Sequence, residues 1–219
     1  MDLIEILIKE GWLKTPRIIE AFKKIKRADF LPEDMKDLAG LNEALPIGLG
    51  QTISQPLVVA FMIEQLQPQP GDKVLDIGSG SGWTSALLAH IVSSGELNSN
   101  LKVQSSKLKG KVIAIEIIPE LKEFGEKNAE KYNFAEKGIA EFICADGSAG
   151  YKKEAPYDRI LASASAEKIP QEWREQLKTG GRIVAPIKNS IWVLEKKSES
   201  EFKEKEFPGF IFVPLVEKQ

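Results

Sequence analysis

The sequence predicts a doubly wound α/β fold: a mostly parallel, seven-stranded sheet with helices before it and an antiparallel strand pair at its C-terminal end. Three observations carry that prediction. From residue 73 onward short apolar strands alternate with helical segments, which is the order a parallel sheet with crossover helices requires. The strands are nearly continuous apolar runs, as expected where both sheet faces are covered. The first strand runs straight into a glycine cluster that opens a helix, at the carboxyl end where open sheets bind ligands.

The elements follow in order. Residues 2–31 read as two amphipathic helices, with Leu3, Ile6 and Leu7 and then Ile18, Ile19, Phe22 and Ile25 at helical spacing. Gly11 separates them, and Thr15-Pro16 has the form of an N-cap followed by proline at the first helical position. Residues 32–54 lack a sustained period and carry Gly40, Pro46, Gly48 and Gly50, so loop or short irregular structure is expected. A helix is expected from Pro56 to Gln67, stopped by Pro68 and Pro70-Gly71.

Strands are expected at Lys73–Ile77, Lys111–Glu116, Ala140–Ala145, Tyr157–Ser163 and Gly181–Ile187. Helices are expected near Trp83–Val92, Pro119–Tyr132 and Pro170–Leu177. Ile191–Leu194 and Phe210–Val216 follow without a helix between them and should form the antiparallel pair. The charge run Glu195–Glu206 between them mixes both signs and reads as a solvated hairpin loop. Ser93–Gly110 is polar and aperiodic and reads as an insertion.

The chain has 219 residues, a length that favours one domain with a real core. Within it, residues 1–68 would form a helical and substrate-binding segment, 69–187 the core and 188–219 the terminal strand pair. The 42% hydrophobic and 28% charged content is that of an ordinary globular protein. A net charge of −2 shows none of the basic excess that phosphate binding favours, so no nucleic-acid partner is expected. The single cysteine, Cys144, excludes an intramolecular disulfide and agrees with a reducing compartment. Its apolar neighbours suggest a packed strand residue. No signal peptide or membrane span is legible, and a cytoplasmic location is expected.

The motif Val74-Leu-Asp-Ile-Gly-Ser-Gly-Ser-Gly-Trp83 carries the chemistry. Its glycines, Gly78, Gly80 and Gly82, allow a tight turn and the close approach of a ligand. The dinucleotide fingerprint needs glycine where Trp83 stands, and no lysine follows as a phosphate loop requires. Asp76 just ahead of the cluster suits a ligand with a sulfonium cation and no phosphates, such as S-adenosylmethionine. Glu116, ending the second strand, stands where an acid binds ribose hydroxyls. It lies 40 residues after Asp76 (116 − 76), against roughly 20 in dinucleotide folds, and the 93–110 insertion absorbs most of the excess. Asp146-Gly147, after the third strand, could accept an adenine amino group or form a plain Asp-Gly turn. The sole histidine, His90, is expected near a helix end rather than as a base. No histidine-cysteine cluster has metal-ligand spacing.

Taken together, these residues resemble the protein-L-isoaspartate (D-aspartate) O-methyltransferase family along nearly the whole chain. The match runs through Ala21–Glu33, Ala44–Leu66, Val74–Trp83, the VIAIEIIPEL segment, Tyr157–Ile187 and Phe212–Leu215. Gly50-Gln-Thr-Ile-Ser-Gln-Pro56 is its most specific part, because other methyltransferases share only the glycine loop. The resemblance implies a Rossmann-like methyltransferase, an S-adenosylmethionine-dependent protein carboxyl O-methyltransferase that leaves S-adenosylhomocysteine and uses no metal. It would methylate the free carboxylate of L-isoaspartyl residues in damaged proteins; the ester closes to a succinimide, whose hydrolysis returns some normal aspartate. It implies cofactor roles for Asp76, Gly78, Ser79, Gly80, Gly82, Glu116, Asp146 and Gly147. Gln51, Thr52, Ile53 and Ser54 would bind substrate, with Ser54 the active-site hydroxyl. Ser54 could also cap the helix that Pro56 begins. A monomer with an open cleft and no membrane partner is expected.

The chain departs from the family at Ala39-Gly-Leu-Asn42, at Leu57 and at Ser163–Glu167. These positions bear on acceptor affinity more than on cofactor binding. They leave open another acceptor, RNA or a small molecule, or a non-catalytic module that binds isoaspartyl peptides.

Overall fold

A computed structural model describes residues 2–97 and 110–216. Helices α1 (Leu3–Lys9) and α2 (Pro16–Lys24) open the chain. The hairpin β1 (Leu45–Gly48) and β2 (Gln51–Ile53) and helix α3 (Pro56–Leu66) follow. The core comprises β3 (Lys73–Ile77), α4 (Trp83–Leu97), β4 (Lys111–Glu116), α5 (Pro119–Glu130), β5 (Ala140–Cys144), β6 (Tyr157–Ala162), α6 (Gln171–Gln176) and β7 (Leu177–Ile187). Strands β8 (Ser190–Lys196) and β9 (Phe202–Pro208) complete it.

Seven strands form one sheet in the order β5-β4-β3-β6-β7-β8-β9. The first five are parallel, and β7–β8 and β8–β9 are antiparallel. The expected fold class is borne out. Side chains alternate across the sheet with period two. Val74, Val112, Ala114, Leu161 and Val184 join the larger core under α1–α5. Leu75, Ile77, Ile113, Ile115, Ile160 and Ile183 join a second core around Trp173 of α6. Burial on both faces explains why these strands read as unbroken apolar runs.

The N-terminal helices are tied to the core by a carboxylate. Thr15 stands at the N-cap of α2 with Pro16 behind it, yet its side chain makes no cap bond. Glu64 of α3 accepts the Lys14 and Thr15 N–H groups, both at 2.8 Å, and the Thr15 hydroxyl at 2.7 Å. A carboxylate there also complements the helix dipole.

Several expectations need correction. The C-terminal strand pair exists, but its second member is β9, inside the charge run expected to be loop. β9 is an edge strand, and Glu195 faces Lys203 across its ladder. Charged edges discourage pairing with other sheets, so this strand never displayed an apolar signature. Phe210–Val216 is instead an arm, joined to Ser165 by backbone bonds from Ser165 N–H to Val213 O and from Leu215 N–H to Ser165 O, both 2.8 Å. Cys144 is exposed, because β5 is the other edge of the sheet. His90 is buried within α4, not near its end, because the helix runs on to Leu97; burial lowers its pKa. The expected insertion at 93–110 overlaps the end of α4, and its residues 98–109 lie outside the described residues.

Candidate active site

The sheet order creates a crevice. Strand β3 pairs with β4 on one side and β6 on the other, and their connections leave in opposite directions. At such a switch point the carboxyl ends of strands leave room for a ligand. Four strand ends meet there: Ile77, Glu116, Cys144 and Ala162.

The turn after β3 is built on left-handed backbone. Gly78, Gly80 and Gly82 have φ of 77°, 49° and 84°, a region that L side chains rarely adopt. The loop is fastened to β4 through Gly78 N–H and Ser79 N–H, which donate to Ile115 O at 2.8 and 3.0 Å. Glu116 completes the fastening. One carboxylate oxygen accepts Gly80 N–H at 2.9 Å, and the other accepts Ile117 and Ile118 N–H at 2.8 and 3.1 Å. Glu116 therefore stands in the wall of the cleft and also shapes it.

Asp76 sits elsewhere than its expected place beside a bound cation. The strand period turns its side chain under the loop, where it is fully buried and accepts the Ser85 hydroxyl at 2.6 Å. Burial, with a smaller push from the charge of Glu116, raises its pKa to about 7 against the opposing effect of the Ser85 bond. Asp146 accepts Ser148 N–H at 2.9 Å, capping the short turn Gly147–Ala149. Its neighbours Ala145 and Gly147 line the cleft. A Cβ on Gly147 would meet Ile77 Cγ2 at 2.4 Å, so only glycine fits there.

The second wall comes from the segment expected to be irregular. Leu49 and Gly50, at φ 53° and 71°, turn the β1–β2 hairpin, as a two-residue turn with both central residues left-handed requires. The hairpin carries Gln51, Thr52, Ile53 and Ser54 to the cleft that Gly78–Ser81 also line. Ser54 is not the cap of α3. Gln55 takes that position without a side-chain cap bond, and Asn42 Oδ1 accepts Leu57 N–H at 3.0 Å. The Ser54 hydroxyl is thus not committed to the helix.

Together these residues line one cleft, partly open to solvent. Sequence reasoning missed several of its walls. Ser163 and Ala164, at the end of β6, line it as the other strand ends do. The arm residues Val213–Val216 cover its side. A neighbouring pocket lined by Ala44, Val58, Ile211 and Phe212 shares Thr52, Ser54, Ser163 and Val213 with it. Among the described residues, no His/Cys/Asp/Glu group could hold a metal ion, and no helix is long and apolar enough to cross a membrane.

Comparison with known proteins agrees with this architecture. The family model described as protein-L-isoaspartate(D-aspartate) O-methyltransferase matches residues 1–219. A protein-L-isoaspartate O-methyltransferase of Methanopyrus kandleri is 40% identical over 98% of this chain and 89% of its own. One from Pyrococcus horikoshii is 38% identical over 97% and 90%. A Plasmodium falciparum β-aspartate methyltransferase structure in complex with S-adenosyl-L-homocysteine superposes with a TM-score of 0.84. It covers 99% of this chain and 97% of that one at 21% identity, a likeness of fold. The full-length family match and the identity to relatives over nearly their whole length establish that this chain belongs to the protein-L-isoaspartate (D-aspartate) O-methyltransferase family.

Proposed function

We propose that the protein transfers a methyl group from S-adenosylmethionine to the free carboxylate of L-isoaspartyl residues in damaged proteins, starting their repair. The observation that carries this reading is a shared cleft: Gln51–Ser54 and the glycine loop line one cavity. The residues present suit the donor. Ser79 Oγ and Trp83 Nε1 are buried at the cleft wall and have no hydrogen-bond partner among the described residues, an arrangement a polar ligand would satisfy. Gly78, Ser79 and Gly80 would line the donor's side of the cleft, and Gly82 would hold the loop's turn against α5. Glu116 would hold the donor's ribose and the Asp146-Gly147 turn its adenine. Asp76 would support the loop from beneath. The bound donor supplies an electrophilic methyl on sulfur.

No general base is needed. A carboxylate with an ordinary pKa near 4 is already ionised at neutral pH. The protein's task is placement of the acceptor against the donor, which contributes about 7–11 kcal/mol in favourable cases. Ser54, with Thr52 and backbone N–H groups, would orient the carboxylate without neutralising it. The arm Val213–Val216 would shield the reacting groups from water. An acceptor class of peptides fits a chain with no basic excess, and a monomer in the cytoplasm fits an open cleft and one unpaired cysteine.

The test is methyl transfer from radiolabelled donor to a peptide with one isoaspartate, against the same peptide with aspartate. Base-labile label on the isoaspartyl peptide alone supports the reading. Absence of label, with S-adenosylhomocysteine binding intact by calorimetry, rejects it. Ser54→Ala should lower turnover of the isoaspartyl peptide about tenfold or more while leaving S-adenosylhomocysteine affinity nearly unchanged.

A further inference from the structure

We propose that Arg27 is a positioning residue for methyl transfer, holding Ser54 and the base of the β1–β2 hairpin against the helix that follows the glycine loop. The inference rests on the acceptor reading above. Arg27 begins a short turn after α2 and is only 7% exposed. Its guanidinium meets carbonyls. Nη1 donates to Ala39 O at 3.2 Å and Leu41 O at 2.9 Å, and Nη2 to Glu43 O at 2.7 Å and Ser54 O at 3.2 Å. Among the described residues no carboxylate pairs with it.

The choice of carbonyls is informative. The outermost ladder pair of the hairpin is Leu45 with Ile53. Glu43 lies two residues before Leu45 and Ser54 directly follows Ile53, so Nη2 bridges the two chain segments at the open end of the hairpin. On its other side the guanidinium carbon stands 5.5 Å from the ring centroid of Trp83, the first residue of α4 and part of the cleft wall. One cation thus touches both walls: the backbone behind Ser54 and the residue that ends the glycine loop. Gln55 Nε2, donating to Asn42 O at 2.8 Å, braces the same base.

Burying a cation without a counter-charge is unfavourable, and burial alone lowers the pKa of Arg27 to about 10. A structural tie needs no charge; a planar fork that spans carbonyls from 39 to 54 does need arginine. Lysine offers a compact point charge that cannot reach four acceptors at once. The acceptor carboxylate must lie in line with the donor's methyl, and misplacement by about 1 Å can lower the rate about 100-fold.

The experiment compares wild type, Arg27→Lys, Ser54→Ala and the double variant. It reads kcat and KM for the isoaspartyl peptide, S-adenosylhomocysteine affinity by calorimetry, and hydrogen exchange of amides 45–54. Arg27→Lys keeps the charge and stem, so it guards against simple unfolding, which a melting curve checks. The expected result is a kcat lowered about 10- to 100-fold, cofactor affinity within about threefold of wild type, and faster exchange across the hairpin. In the Ser54→Ala background the same change should reduce kcat by no more than about twofold, since its effect runs through that hydroxyl. A wild-type kcat, an equal loss of cofactor affinity, or full additivity with Ser54→Ala would overturn the proposal. If wild type fails to methylate the peptide, the acceptor reading falls. The exchange measurement then decides separately: faster hairpin exchange in Arg27→Lys supports the tether, and unchanged exchange rejects it.

Discussion

Gly82 and Gly125 meet backbone to backbone: a Cβ on Gly82 would lie 2.5 Å from the carbonyl oxygen of Gly125. One turn along α5, Asn128 Nδ2 donates to Ser81 O at 3.1 Å. Helix α5 therefore docks directly on the glycine loop, with no space for a side chain between them. Gly82→Ala adds this collision to a left-handed φ of 84°. The expected loss is about 2–4 kcal/mol of stability, a fall in melting temperature of roughly 5–15 °C for a chain of this size. S-adenosylhomocysteine affinity should fall with it, because the loop must shift. Calorimetry of unfolding and of binding checks both, and a variant matching wild type in both would show that the contact is not tight.

Glu116 offers a different test, because its three N–H acceptances shape the cleft from inside. Glu116→Ala leaves Gly80, Ile117 and Ile118 N–H groups without their acceptor. Bonds from backbone N–H to a charged group contribute about 1.5–3 kcal/mol each at most, and water replaces part of this. S-adenosylhomocysteine affinity is expected to fall at least about tenfold, a change of about 1.4 kcal/mol. Glu116→Gln keeps the shape but turns an amide toward one donor, so it should fall between wild type and alanine. Equal binding by all three proteins would remove Glu116 from the cofactor site.

Asp76 predicts a pH dependence. Its folded pKa is about 7, above the ordinary aspartate value of about 3.9 in an unfolded chain. The folded state therefore holds this proton more tightly. The stabilising contribution is complete below about pH 4 and is lost as pH rises toward 7, with no further change above it. Asp76→Asn removes the titration. The stability of this variant relative to wild type should improve with pH between about 4 and 7, with a slope approaching 1.4 kcal/mol per pH unit. Urea unfolding of both proteins from pH 4.5 to 8 measures the difference, and a difference independent of pH would contradict the buried titration.

How legible this site was depended on which physical signal each residue displayed. The central strands announced themselves because burial on both faces leaves only apolar residues, and Gly78, Gly80 and Gly82 because their backbone excludes other types. The side of β3 that Asp76 faces was not legible. An acid next to a glycine loop suggests a ligand contact, but strand alternation turned it toward Ser85 of α4. β9 was hidden for the opposite reason: an edge strand that faces water looks like a charged loop. The arm Val213–Val216 was expected as a strand, and only its long-range bonds to Ser165 show that it closes the cleft. Asn42, which marks a departure from the family pattern, carries a hydrogen bond to Leu57 N–H that no local spacing reveals.

Trp173 is the last such hidden support. It lies on α6, fully buried under the opposite face of the sheet, and its indole N–H donates to Gly147 O at 2.9 Å. Gly147 in turn presses on Ile77, the last residue of β3. The indole thus fixes the backbone of the Asp146-Gly147 turn from behind, without lining the cleft itself. Trp173→Phe keeps most of the apolar volume and removes the donor. Gly147 O keeps its bond from Gly150 N–H at 2.9 Å, so losing the indole donor costs about 0.5–1.5 kcal/mol, and the smaller ring leaves a gap with a further penalty. Stability should fall by about 1–3 kcal/mol. Cofactor binding should weaken only severalfold, less than in Glu116→Ala, because the turn keeps its Asp146 cap at Ser148 N–H. Urea unfolding and calorimetric titration with S-adenosylhomocysteine report the two effects separately. A large loss of affinity with stability unchanged would instead mean that the indole acts on the ligand directly.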